Sequence, residues 1–140
     1  MDALRLPDDM ASELIDHAQA EYPKEACGII GGPPGVAAKL YLLRNIDPDP
    51  VMRYMGDAHE QKRAQDDMFE HGWDTTVVFH SHTHSPAFPS DTDVERAFYP
   101  DAVYLLVSLM DRGKPDLRAF RIINGNITEI GVVRESVEKA

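Results

Sequence analysis

The sequence predicts a mixed α/β fold, built as a single domain over residues 1–140. Three observations carry that prediction. Residues 8–20 place apolar side chains at helical spacing, residues 75–79 form a β-branched and aromatic run, and the last third holds three further apolar runs broken by turn residues. Taken in order, Met10, Leu14, Ile15 and Ala18 give the first helix one apolar stripe, and Pro23 ends it. Residues 26–30 and 37–46 are expected as strands of a hairpin joined across Gly-Gly-Pro-Pro-Gly, with a proline-rich loop after Ile46. Residues 57–70 are polar, with Ala58, Ala64 and Met68 on a partial face, which predicts a second, largely exposed helix stopped at His71-Gly72. Residues 75–79 then give a buried strand running into a histidine cluster. Residues 90–98 predict a third helix, with Ser90 as N-cap and Asp93 in the first turn, where the macrodipole favours an acid. Residues 103–110, 117–123 and 127–133 predict three closing strands, the last two turning at Asn124-Gly125.

Composition narrows the class. A chain of 140 residues with 43% hydrophobic and 27% charged residues is long enough for one substantial core and is not disordered as a whole. No apolar run approaches the roughly 20 residues of a membrane span, and the N-terminus lacks a basic-then-apolar export pattern. With Cys27 as the lone cysteine no internal disulfide is possible, so the expected compartment is the cytoplasm. A formal net charge of −10 opposes binding to nucleic acid, whose phosphates require clustered Lys and Arg.

The densest chemistry lies between Phe79 and Val94. There His80, His82, Ser90 and Asp93 stand in the frame H-x-H, seven residues, S-x-x-D. Two imidazoles and a carboxylate suit a borderline cation such as zinc, which in hydrolytic sites takes three protein ligands and keeps a fourth position for water. Alternate strand residues share a face, so His80 and His82 point one way and Ser81 the other. Pro86 and Pro89 hold an extended loop, and the helix starting at Ser90 returns Asp93 to the strand end. Each residue also has a plainer role: Ser90 and Asp93 as a capping pair, either histidine alone as a hydrogen-bonded strand residue. Their conjunction favours one zinc per chain, held by His80, His82 and Asp93.

This frame resembles the signature of the JAMM (MPN-type) metalloprotease family, whose members include enzymes that remove ubiquitin from proteins. The family also places a glutamate upstream near a Cys-Gly pair, and Pro-Lys-Glu-Ala-Cys-Gly here supplies Glu25, Cys27 and Gly28. The resemblance spans nearly all of residues 1–140. His-Ser-His-Thr at residues 80–83, together with residues 92–108 and 117–129, is similar to the bacterial branch acting on small ubiquitin-like sulfur-carrier proteins, including hydrolysis that releases cysteine in cysteine biosynthesis. What the resemblance implies is a curved, largely antiparallel mixed sheet flanked by helices, a JAMM/MPN-like (cytidine-deaminase-like) arrangement with the metal at one strand end. It further implies a carrier partner ending in Gly-Gly, cleaved after the second glycine. His84 departs from many relatives; of a solvated loop residue, a substrate contact and an alternative ligand, it is read first as the loop residue.

The resemblance also assigns roles. Glu25, which residue type alone would make a surface glutamate, becomes the general base, and Ser90 a donor to the oxyanion that forms at the scissile carbonyl. Cys27, among Ala26, Gly28, Ile29 and Ile30, is expected to be a buried, inert thiol. His17 and His59 are expected on exposed helix faces, His71 at a helix C-terminus, and Tyr54 and Trp73 in the core or at its rim. Residues 47–73 leave no room for a large recognition insertion. The competing readings are a deubiquitinase-like isopeptidase on protein conjugates, a multimetal phosphoesterase, whose sites also open with H-x-H-T, and a non-catalytic MPN scaffold.

Overall fold

The computed structural model describes residues 2–136. Along the chain run β1 (Ala3–Pro7), α1 (Asp8–Glu21), β2 (Cys27–Gly32), β3 (Lys39–Leu43), α2 (Ala58–His71), β4 (Asp74–His82), α3 (Asp91–Glu95), β5 (Val103–Ser108), β6 (Asp116–Ile123) and β7 (Asn126–Glu135). All strands join one curved sheet in the order β1-β7-β6-β5-β4-β2-β3. The β1–β7 and β4–β5 pairs are parallel and the other four antiparallel, which is the mixed, largely antiparallel sheet expected from the sequence. Among the described residues no helix is long and apolar enough to cross a membrane.

The sheet's two faces are divided by strand alternation. Val77 and Phe79 of β4 join Leu105 and Val107 of β5 in a core covered by Met10, Ala11, Leu14 and Ala18 of α1. Val78, Tyr104, Leu106 and Phe120 face the other way and form a second cluster. His80 and His82 share the parity of Val78, so they emerge on that second face at the end of the strand. A third cluster seats Ala64 and Met68 of α2 over Cys27, Ile29 and Leu43. The β2–β3 hairpin holds together closely: a Cβ on Gly28 would lie 2.8 Å from the Tyr41 carbonyl oxygen, so glycine is needed there.

Local chemistry sets the helix ends. Asp57 accepts hydrogen bonds from the backbone of His59 and Glu60 at the start of α2, and Gly72 closes that helix in the left-handed conformation (φ 69°). Ser90 and Asp93 form a reciprocal capping box on α3.

Several expectations need correction. β1 was not anticipated; its short segment buries Leu4 and Leu6 and becomes a strand because β7 offers it a parallel partner. β3 ends at Leu43 rather than continuing to Ile46, since Asn45 forms an isolated bridge to Gly56. β4 runs through both histidines, α3 stops at Glu95, and Ala58 is exposed. His17 is half-buried, with an Nε2 that has no hydrogen-bond partner among the described residues, whereas His59 is exposed as expected.

Candidate metal centre

The β4 register places the histidines. Cys27 of β2 lies opposite His80, and β5 flanks His80 and His82 through Leu106 and Ser108, so the strand end is held on both sides. Ser81 points to the opposite face, where its hydroxyl accepts the Ala26 N–H at 2.7 Å. The capping box then turns Asp93 back onto the strand. The Asp93 Oδ2 accepts the Ser90 N–H at 2.9 Å, and Ser90 Oγ accepts the Asp93 N–H at 3.1 Å. The capping pair therefore also delivers Asp93 to a position where it could hold a metal ion with the histidines.

Three atoms converge. His80 Nε2 and His82 Nε2 are 3.2 Å apart, and Asp93 Oδ2 is 3.1 Å from the first and 2.9 Å from the second. A tetrahedral zinc with bonds of about 2.0–2.1 Å keeps its ligand atoms about 3.3 Å apart, so a triangle of this size fits such an ion. Among the described residues this is the one group of three or more histidine, cysteine or acidic side chains gathered so tightly, and all three members are buried. The chemistry of the donors agrees with the geometry. His82 Nδ1 lies 2.8 Å from the Pro86 carbonyl, to which it donates its proton, leaving the Nε2 lone pair toward the cluster. Burial pushes the His80 imidazole toward its neutral form. For Asp93 burial opposes ionisation, yet His80, His82 and the Ser90 N–H outweigh it and hold the carboxyl well below the usual carboxylate range. His82 is pulled down by burial but raised on balance, first by its hydrogen bond to Asp93.

His80 is oriented differently from His82. Its Nδ1 is buried with no hydrogen-bond partner among the described residues. Instead the Tyr54 ring stacks on it, with centroids 4.4 Å apart and planes 22° from parallel. Tyr54 is fixed by Arg96, which donates to the Tyr54 carbonyl at 2.8 Å and to the buried Asp47 carboxylate at 3.1 Å. Arg96 is the C-cap of α3, so the loop carrying Tyr54 and the helix carrying Asp93 are tied together. The sequence reading of Tyr54 as core or rim missed this contact. No motif signals it, because the two residues stand 26 positions apart and meet only through the fold.

Glu25 is not the surface residue its type suggests. It is 5% exposed, on the segment entering β2. Its N–H donates to the Pro50 carbonyl at 2.7 Å, and Asn45 Nδ2 donates to its carbonyl at 2.9 Å. The side-chain Oε1 is buried with no hydrogen-bond partner among the described residues. Burial pushes the carboxyl up to about 8, with His82 opposing and Asp93, Asp47 and Asp49 adding to the shift. A carboxyl poised near neutrality, coupled through charge to His82 and Asp93, can both take and return a proton.

The remaining candidates separate clearly. Ser90 is exposed, and because its Oγ accepts the Asp93 N–H, its own O–H proton stays available to a substrate. Cys27 is buried, donates to the Leu43 carbonyl at 3.5 Å, and is pushed up to about 12 by burial, which makes it the inert thiol expected. His84 is an exposed loop residue whose Nδ1 lies 2.8 Å from Thr83 Oγ1.

Comparison with known proteins places this geometry among relatives. The family model for prokaryotic homologs of the JAB domain matches residues 7–123. The chain is 37% identical over 123 residues to the CysO-cysteine peptidase of Mycobacterium tuberculosis, covering 86% of this chain and 84% of that protein. It is 30% identical over 111 residues to the desampylase of Haloferax volcanii, covering 75% and 80%. The solution structure of a protein from Desulfitobacterium hafniense superposes with a TM-score of 0.84 at 32% identity, covering 97% of this chain and 94% of that one.

Proposed function

This chain belongs to the family of prokaryotic homologs of the JAB domain, and on that premise we propose that it is a zinc-dependent amide hydrolase that cleaves after the C-terminal Gly-Gly of a ubiquitin-like or sulfur-carrier protein. The observation that carries the reading is the meeting of His80 Nε2, His82 Nε2 and Asp93 Oδ2 within 3.2 Å of one another, on the same chain as a buried Glu25 whose Oε1 has no partner among the described residues. The names of the relatives, a peptidase acting on a carrier–cysteine adduct and a desampylase, support the substrate class.

His80, His82 and Asp93 would hold the ion. When bound there, zinc lowers the pKa of its water toward about 7 and polarises the scissile carbonyl. Glu25 takes the proton released as the carbonyl carbon is attacked, holds it on a carboxyl that burial makes basic, and delivers it to the departing amine. The Ser90 O–H donates to the carbonyl oxygen as it gains negative charge. Capping by the Asp93 N–H fixes the Ser90 hydroxyl, so this donor needs no reorganisation during the reaction. Two small glycines let the peptide backbone approach the strand end, which a branched side chain would obstruct.

The test is an intact-mass assay with a carrier protein ending in Gly-Gly-Cys. The expected product is the carrier shortened by its last residue, formed only with metal present. Replacing the second glycine of the carrier by valine is expected to block cleavage. Equal rates on glycine and valine carriers would eliminate the close-approach reading, and an unshortened glycine carrier would eliminate the activity.

A further inference from the structure

The chemistry of the leaving group follows from which side of the centre Glu25 occupies. A base that hands its proton to the departing amine faces the leaving group, so the residues around Glu25 line the side from which the product leaves. The chain enters Glu25 from the end of α1 through Tyr22, Pro23 and Lys24. Against Tyr22 lie two nitrogen-bearing groups from other segments. The His84 ring sits 5.8 Å from it, centroid to centroid, and the Arg112 guanidinium sits 4.2 Å from the ring centroid. Both are tied to the metal strand: His84 follows His82 by two residues, and Leu109, three residues before Arg112, donates its N–H to the His82 carbonyl at 2.8 Å.

Arg112 is held in place without being neutralised. Its Nε donates to Gln19 Oε1 at 3.1 Å and its Nη2 to the Gln19 carbonyl at 3.4 Å, while Gln19 Nε2 donates back to the Arg112 carbonyl at 2.9 Å. None of these partners carries charge. The acids nearest in sequence are engaged elsewhere: Asp111 accepts the Gly113 N–H on its Oδ1, and Asp116 pairs with Arg118. This is unusual here, because nine of the thirteen Lys and Arg side chains in residues 2–136 pair with a carboxylate. Of the four that do not, Arg63 lies on α2, whereas Lys24 precedes Glu25 directly and Arg112 and Lys114 share the β5–β6 turn. In a chain of net charge −10, cations without a carboxylate partner among the described residues, one adjoining Glu25 in sequence and one held over Tyr22, leave a positive site open to an anion.

We propose that Arg112, held over the Tyr22 ring that His84 also approaches, forms a leaving-side subsite that binds the free carboxylate of the departing group, so that the enzyme favours releasing a terminal amino acid or short peptide over cleaving a lysine isopeptide within a protein. An arginine fork matches a carboxylate in shape, and its seat over the Tyr22 ring together with its hydrogen bonds to Gln19 fixes the fork with little entropy left to lose. An isopeptide-linked lysine inside a folded protein presents no such carboxylate near the scissile bond. The subsite rests on the proposed hydrolase reading and deepens it.

The experiment compares two carriers with the zinc-bound protein, one ending in Gly-Gly-Cys as the free acid and one as the C-terminal carboxamide, with kcat/KM followed by intact mass. The expected result is a preference of about tenfold or more for the acid, the scale of a charge-assisted hydrogen bond. In Arg112→Gln the acid-to-amide ratio is expected to fall to about one, while Arg112→Lys keeps part of it. Arg112 is exposed, so its replacement leaves the core intact, and the thermal transition of each variant checks this. A wild-type ratio near one would overturn the subsite while leaving the hydrolase reading intact. A high ratio unchanged in Arg112→Gln would remove Arg112 from it. Failure to cleave either carrier would overturn the hydrolase reading, and the subsite with it.

Discussion

Replacing Glu25 by glutamine tests the burial of this carboxyl without any substrate. Burial moves the Glu25 carboxyl from an ordinary 4.5 up to about 8 in the metal-free protein. At about 1.36 kcal/mol for each tenfold change in the proton equilibrium, forcing the folded protein to carry this carboxylate ionised costs about 5 kcal/mol in the limit. The sign follows from proton counts. Between pH 4.5 and 8 the folded state holds a proton on Glu25 that the unfolded chain has released, so stability falls as pH rises. The contribution is intact below about pH 4.5, is lost progressively up to about pH 8, and levels off above it. Between pH 5 and 8 the wild type should lose roughly 3–4 kcal/mol that Glu25→Gln retains. The assay is urea unfolding of the metal-free proteins at half-unit pH intervals, read as the difference between variants so that groups common to both cancel. Parallel curves for the two proteins would refute the claim that burial holds this carboxyl neutral. With zinc present the difference should shrink, because a nearby cation favours the carboxylate. In activity assays the same variant should keep its metal and lose a factor of 10² to 10⁴ or more in hydrolysis, the range typical of a missing general base.

Three further outcomes are expected. His82→Ala should lose zinc and activity together while remaining folded, checked by metal analysis and circular dichroism; full zinc content with normal turnover would displace His82 from the ligand set. Ser90→Ala should cost about 1 kcal/mol of stability through its lost cap and, as an oxyanion donor, about 2.7–4 kcal/mol in kcat with zinc retained; a stability loss alone would leave Ser90 as a cap only. Tyr54→Leu should weaken zinc binding by about 10–100-fold in chelator competition and alter the visible spectrum of the cobalt-substituted protein, whereas Tyr54→Phe should preserve both; equal affinities in all three would show that the stack does not orient His80.

The residues that could be read directly were those whose chemistry is local. His80, His82, Ser90 and Asp93 announced themselves because a strand alternation and a helix cap, both short-range rules, bring them together. The helical stripe of α1 and the Gly72 stop of α2 were legible for the same reason. What stayed hidden depends on distant partners. The residues of β1 form a strand only because β7 runs beside them. Glu25 looks like any surface acid until Pro50 and Asn45 enclose its backbone and bury it. Tyr54 and Arg96 carry no motif, since each acts through a residue from another element.

The spacing of the ligands separates two events in the life of the chain. His80, His82 and Asp93 lie within 14 consecutive residues, so gathering them closes one short loop, a small entropic cost that a bound cation can offset early. Glu25 stands 55 residues away from His80 and reaches the cluster only once β2 has docked along β4 with Cys27 opposite His80. On the proposed reading the three ligands are brought together by short-range contacts, while the Glu25 carboxyl arrives with long-range assembly. Hydrolysis on that reading requires the β2–β4 pairing that brings Glu25 to the three ligands, so hydrolytic competence waits on completion of the sheet.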